Sequence, residues 1–173
     1  WYVNDASTTG DSFTYLAGSD LTGDGTPQNP FLSPARAMTF LTAGDTLWID
    51  AGTYTTLDTV YAGSETAVVH IRVDSATIIG KDSGASVLNP PGANTIVGLY
   101  GVYADTQTSL LIKNLGVMDA YDGIHFYNVD NTSVDNDSVT VCGNYGVYLR
   151  VNSDTNTVKN SVSSSNSSMG FNL

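Results

Sequence analysis

Apolar residues recur through the second half of the chain in a fixed cadence. Four short runs share one order, glycine, apolar, variable, then small or apolar: Gly101-Val102-Tyr103-Ala104, Gly123-Ile124-His125-Phe126, Gly146-Val147-Tyr148-Leu149 and Gly170-Phe171-Asn172-Leu173. Their glycines are 22, 23 and 24 positions apart. A second set, Ile112-Lys113-Asn114, Val134-Asp135-Asn136 and Val158-Lys159-Asn160, keeps step at spacings of 22 and 24. Two registers advancing together mark one segment wound repeatedly. The period predicts an all-β chain, a β-solenoid with coils of about 22–24 residues and about three short strands per coil. The leucine consensus of repeats of similar length is absent.

Winding makes predictions about columns. Equivalent residues of successive coils stack about 4.8 Å apart. Val102, Ile124, Val147 and Phe171 are expected to point inward, so Tyr103, His125, Tyr148 and Asn172 point outward. Two positions on come Asp105, Tyr127 and Arg150. Asn114, Asn136 and Asn160 are expected to form an amide ladder. Lys113, Asp135 and Lys159 read as an alternating surface charge ladder. The glycine opening each run is expected to serve a tight or left-handed backbone.

Before the repeats the pattern changes. "SPARAMTFLTAGD" predicts a capping helix, with Ser33 as N-cap, Pro34 at the first helical position and Gly44 just past the end. Ala37, Phe40 and Leu41 form its apolar stripe. "DTLWIDAGTY" alternates Leu47, Ile49 and Ala51 on one face, a strand running into a turn. "TAVVHIRV", "ATIIG" and "NTIVGLYGVYA" supply further strands, with His70 an outward residue of the first. The chain divides into residues 1–44, holding an N-terminal strand, loops and the capping helix, and 45–173, the coils of one domain. The substantial insertions fall near 55–66 and 81–94.

Residues 2–54 resemble the entry segment of secreted right-handed parallel β-helix proteins of the pectate-lyase-like superfamily. Tyr2-Val3, Gly18-Ser19-Asp20, Asp24-Gly25-Thr26, Pro30-Phe31, Gly44-Asp45 and Gly52-Thr53-Tyr54 carry the resemblance. It implies a right-handed parallel β-helix with a short N-terminal capping α-helix. It leaves the activity open, because that superfamily includes lyases, hydrolases, epimerases and non-enzymatic surface proteins. The coil region here is short for an enzyme of that kind.

Composition narrows the partners. Six Lys plus Arg face 17 Asp plus Glu, a net charge of -11. That balance argues against nucleic acid and anionic membrane. It also opposes acidic polysaccharides unless a divalent cation bridges the two. No apolar run is long enough to insert in a membrane as a helix. The single cysteine, Cys142, rules out an intrachain disulfide and reads as a small core residue. The first residues, "WYVND", include neither an initiator Met nor a leader, so a secreted or cell-surface protein is the expected setting.

No convergent catalytic set is legible, and no catalytic residue is assigned. Asp119 and Asp122, with His125 nearby, are the densest titratable group, but "DAYDG" is also an ordinary turn sequence. Asp20 and Asp24 in "SDLTGDGT" are weak candidates for a calcium site, and Asx-turns explain them equally. Three Asn-X-Ser/Thr matches begin at Asn131, Asn136 and Asn166, a number that the Asn, Ser and Thr content makes ordinary. The outward residues Tyr103, His125, Tyr127, Tyr148 and Arg150 form a partly aromatic face suited to sugar stacking or to an interface. Gly170, Phe171, Asn172 and Leu173 form a candidate stacking end, where another copy would continue the sheet head to tail. The expected function is an extracellular structural solenoid that assembles with itself. The alternative is a carbohydrate-active β-helix: a polysaccharide lyase, a hydrolase or a sugar-binding module.

Overall fold

The computed structural model describes residues 1–58 and 65–173. Strand β1 (Tyr2–Val3) and helix α1 (Pro34–Met38) precede the coils. The first coil holds β2 (Thr46–Ile49), β3 (Gly52–Tyr54) and β4 (Thr66–Ile71); the second, β5 (Thr77–Gly80), β6 (Ser86–Leu88) and β7 (Leu99–Asp105). The third holds β8 (Leu111–Lys113), β9 (Gly116–Met118) and β10 (Asp122–Tyr127); the fourth, β11 (Ser133–Asp135), β12 (Ser138–Thr140) and β13 (Val147–Arg150). The fifth holds β14 (Thr157–Lys159), β15 (Val162–Ser164) and β16 (Phe171–Asn172). Each coil gives one strand to each of three parallel sheets, in the orders β1-β2-β5-β8-β11-β14, β3-β6-β9-β12-β15 and β4-β7-β10-β13-β16. The architecture is a right-handed parallel β-helix.

The predicted registers hold. Ile112 pairs with Val134, and Val134 with Val158. Val102, Ile124, Val147 and Phe171 pair in one inward column. Three such columns, one per sheet, fill the axis, with Leu47, Ile78, Leu88, Val117 and Ile124 among their fully buried members. The first two coils are longer than the repeat. Thr46 pairs with Thr77 and Thr77 with Leu111, advances of 31 and 34 positions. The excess is the two insertions; part of the first lies outside the described residues.

The glycine column has a different cause from the one expected. Gly101, Gly123 and Gly146 do not take positive φ. A Cβ on Gly101 would collide with the Val117 side chain, on Gly123 with Val139 and on Gly146 with Ser163. The third sheet therefore lies against the side chains of the second with no room for a methyl group. Left-handed residues sit instead at the corners of the coils, among them the corner between the first and second sheets. There Asn114, Asn136 and Asn160 have φ of 60°, 60° and 53°. Asparagine tolerates that conformation. Asn136 Nδ2 donates to Asn114 Oδ1 at 2.8 Å, whereas Asn160 Nδ2 turns to Asp135 Oδ1 at 2.9 Å. The amide ladder thus has one rung, and the carboxylate takes the next. Asp135 Oδ2 lies 3.7 Å from both Lys113 Nζ and Lys159 Nζ, the alternating charge column expected.

At the N-terminal end, Ser33 caps α1 by accepting from Arg36 N, and Pro34 opens the helix. The helix stops at Met38, before the predicted end, and Gly44 takes φ +87° in the turn that follows. Ala37 and Leu41 are buried as predicted. Phe40 is 38 % exposed, yet it stacks on Phe31 at 5.1 Å, and Arg36 lies over its ring at 4.7 Å. Buried Asp50 holds the entry loop: its carboxylate accepts from the backbone N–H of Ser12, Phe13 and Thr14 and from Thr14 Oγ1. Cys142 is buried, and burial pushes its thiol up to about 12, as expected of a core residue. At the fifth coil Phe171 is 38 % exposed and Leu173 72 %. No helix of the described residues is long and apolar enough to cross a membrane.

Asp137 follows the asparagine corner and is buried, with Oδ1 accepting from Leu115 N at 2.7 Å. Its Oδ2 has no hydrogen-bond partner among the described residues. Burial raises its pKa from 3.8 to about 7, against the lowering effect of the Leu115 bond. The folded state then holds a proton that the unfolded chain releases. Stability from this group is present at low pH and declines as pH rises from about 4 through about 7. Thermal melts across that range should show the decline in the parent protein and lose that component in Asp137→Asn. At the sheet contact, Gly123→Ala should cost about 1–3 kcal/mol in chemical denaturation, because the new methyl group has no space.

Candidate functional site

The third sheet carries the chemistry on its outer face. Its strands pair Ala67 with Tyr100 and Tyr100 with Asp122, and Val102 with Ile124 two positions further along. The next outward column is His70, Tyr103, His125, Tyr148 and Asn172. A third is Asp105, Tyr127 and Arg150. These columns place Tyr103, His125, Tyr127, Tyr148 and Arg150 on one flank with Tyr100 and Asp122, and Tyr103 and His125, expected as exposed surface residues, are buried within it.

Its rings touch both within a coil and from coil to coil. Tyr100 and Tyr103 stack at 5.1 Å with planes 15° apart. His125 lies 4.6 Å from Tyr100 and 5.0 Å from Tyr148, and Tyr145 lies 4.5 Å from Tyr148. His70 meets Tyr103 edge-on at 5.0 Å. Such contacts hold each ring in one orientation. His70 is outward as expected, but buried beneath its neighbours. Burial, and then Arg72, hold its pKa below the usual imidazole value.

Beneath the rings is a buried acid–imidazole pair. Asp122 is 1 % exposed and His125 5 %. His125 Nδ1 lies 2.8 Å from Asp122 Oδ2. Asp122 Oδ1 accepts from Asn144 Nδ2 at 2.9 Å and from Tyr145 N at 3.0 Å. Every carboxylate oxygen is thus engaged, which offsets the cost of burying the group. With Nδ1 donating to the carboxylate, Nε2 is left as the free imidazole nitrogen.

The face opens into a pocket of about 310 Å³ lined by Glu65, Tyr100, Tyr103, Asp105, His125, Tyr127 and Arg150. Tyr100 hydrogen-bonds to Glu65. Burial, reinforced by Glu65, raises the Tyr100 pKa far above the usual phenol value. Burial and then Asp105 raise Tyr103 to about 12. Arg150 lies 5.6 Å over the Tyr127 ring, at the pocket rim.

The structure brings Tyr103, His125, Tyr127, Tyr148 and Arg150 together on this flank. Gly170, Phe171, Asn172 and Leu173 sit on the last coil, away from the pocket, with Asn172 ending the Tyr148 column. Asp119 and Asp122 part company: Asp119 is a turn residue with φ 57°, whereas Asp122 lies in β10. Asp20 accepts from Leu32 N, Ser33 N and Ser33 Oγ, and Asp24 Oδ1 accepts from Thr26 N and Thr26 Oγ1. Both carboxylates therefore serve turn and cap donors. Among the described residues no group of three or more His, Cys, Asp or Glu side chains is arranged to hold a metal ion. Sequence reasoning missed Glu65, Tyr100 and Tyr145. The signal for the two tyrosines was present: Tyr100, Asp122 and Tyr145 each stand three residues before the predicted outward column.

The family model described as "Right handed beta helix region" matches residues 61–173. No curated protein and no solved structure matches the chain.

Tyrosine ionisation reports on this packing. An alkaline absorbance titration of the folded protein should leave Tyr100 and Tyr103 protonated well past the ordinary phenol range. Unfolding in denaturant should bring them back to it, and Tyr103→Phe should remove the component near 12.

Proposed function

The chain belongs to the right-handed β-helix family, and we propose from that premise that it is an extracellular, carbohydrate-active solenoid working through the aromatic flank of its third sheet. The observation that carries this reading is the Asp122–His125 pair, set at 2.8 Å inside a run of tyrosine rings that opens into a pocket. Tyrosine faces give sugar rings a flat apolar platform, and their hydroxyls give hydrogen bonds at the edge. His125 is the proton-transfer group of the site, and Asp122 is the positioning residue that fixes its tautomer and orientation. Proton transfer on a bound glycan, in elimination or in hydrolysis, needs a group of this kind. The low lysine content and the many Ser, Thr and Asn residues support an extracellular setting.

The apolar residues of the last coil support self-association less directly. A further coil of the same polypeptide covers Phe171 and Leu173 as well as a second molecule does, so the flank carries the functional reading.

A panel of polysaccharides, followed by chromatography of released oligosaccharides and by affinity electrophoresis, tests the proposal. At least one glycan should be retarded and cleaved. His125→Asn should remove cleavage while leaving retardation within a few-fold. Tyr103→Ala and Tyr148→Ala should weaken retardation by about tenfold each, the scale of one aromatic contact. A folded protein that neither retards nor cleaves any of them would sink the reading.

A further inference from the structure

The charge pattern of the pocket points to a particular kind of sugar. Two carboxylates, Glu65 and Asp105, line it together with the rings of Tyr100, Tyr103, His125 and Tyr127. Arg150 is the one cation among the described lining residues, and it lies over the Tyr127 ring. Asp122 adds a third carboxylate beneath His125. Asp105 Oδ1 is buried and has no hydrogen-bond donor among the described residues. The whole chain carries a net charge of -11.

Each feature favours the same ligand chemistry. A carboxylate oxygen only accepts hydrogen bonds, so an orphaned one in a pocket is completed by a ligand that donates. Aromatic faces attract cations through the ring quadrupole, and several rings around one point form a cage for an ammonium group. A surrounding excess of acid raises the local concentration of cations and lowers that of anions. An acidic sugar would meet Glu65 and Asp105 as like charges. A neutral sugar would offer Asp105 no charged donor.

We propose that this pocket takes an amino sugar bearing a free ammonium group, presented by a de-N-acetylated glycan, with the ammonium seated between Asp105, Glu65 and the tyrosine rings. This assignment rests on the reading of the flank as a glycan-binding surface. Asp105 supplies the charge-assisted acceptor, and the rings of Tyr100 and Tyr103 supply the walls. Arg150 marks the edge of the ammonium subsite and competes with it electrostatically.

Titration calorimetry at mildly acidic pH tests this with four probes: glucosamine oligomers, N-acetylglucosamine oligomers of the same length, galacturonate oligomers and a lysine-rich peptide. The expected result is binding of the glucosamine oligomers, with the acetylated series about tenfold or more weaker and no binding of galacturonate. Asp105→Asn should weaken glucosamine binding about tenfold, and Arg150→Gln should strengthen it, in proteins whose circular dichroism matches the parent. Equal or tighter binding of the acetylated or acidic series would overturn the ammonium assignment and leave the glycan reading standing. Binding of the peptide without any oligosaccharide, or of none of the four, would overturn the ammonium assignment, and the polysaccharide panel then decides the glycan reading separately.

Discussion

Parallel pairing between coils is the constraint on which everything else depends. Each strand row bonds to the rows above and below at the ordinary strand spacing, so equivalent residues cannot drift apart. A side chain therefore meets its own counterparts rather than a varied environment. Ile112, Val134 and Val158 become one apolar column, and Tyr103, His125 and Tyr148 become one outward column. A core built in this way is narrow, and a single misfit repeats its effect on both neighbours. The tight approach at Gly101, Gly123 and Gly146 follows the same rule through three successive coils, whereas Val68 stands at the equivalent place in the first.

That regularity decides how much could be read in advance. In the last three coils the spacing of 22–24 residues exposed the registers, the inward column, the charge ladder and the outward aromatic positions. In the first two coils insertions stretch the advance to 31 and 34 residues, and the repeat loses its visible period. Asp122 was obscured for a local reason. "DAYDG" has the composition of a turn, and Asp119 does occupy one, but the strand begins at Asp122 itself. Glycine was misjudged because sequence reports its freedom of φ more readily than the absence of a Cβ. Glu65 gave no signal at all, since it precedes a strand of the first coil and reaches the site only through the winding.

The site shows how a solenoid assembles polar chemistry on an apolar frame. Asp122 is nearly as buried as the core residues around it, and it is tolerable there because a side-chain amide, a backbone N–H and an imidazole satisfy it. Those partners come from the same coil and from the next one. The carboxylate is therefore a junction between turns of the helix as well as part of the pocket. Asp50 plays the matching part at the other end, where it gathers the backbone of residues 12–14 onto the first coil. In both places a buried carboxylate organises irregular backbone that strand pairing alone would not hold.

The column Lys113, Asp135, Lys159 carries a parity. Opposite signs occupy adjacent rungs, and like charges directly opposite each other are unfavourable. Duplicating any one of these coils, or deleting the coil of Asp135, would set lysine against lysine, or aspartate against aspartate, on the same edge. Two coils added together would preserve the alternation. At this corner the chain can change length by recombination more easily in even steps than in odd ones, so the ladder acts as a counting rule for the growth of the solenoid.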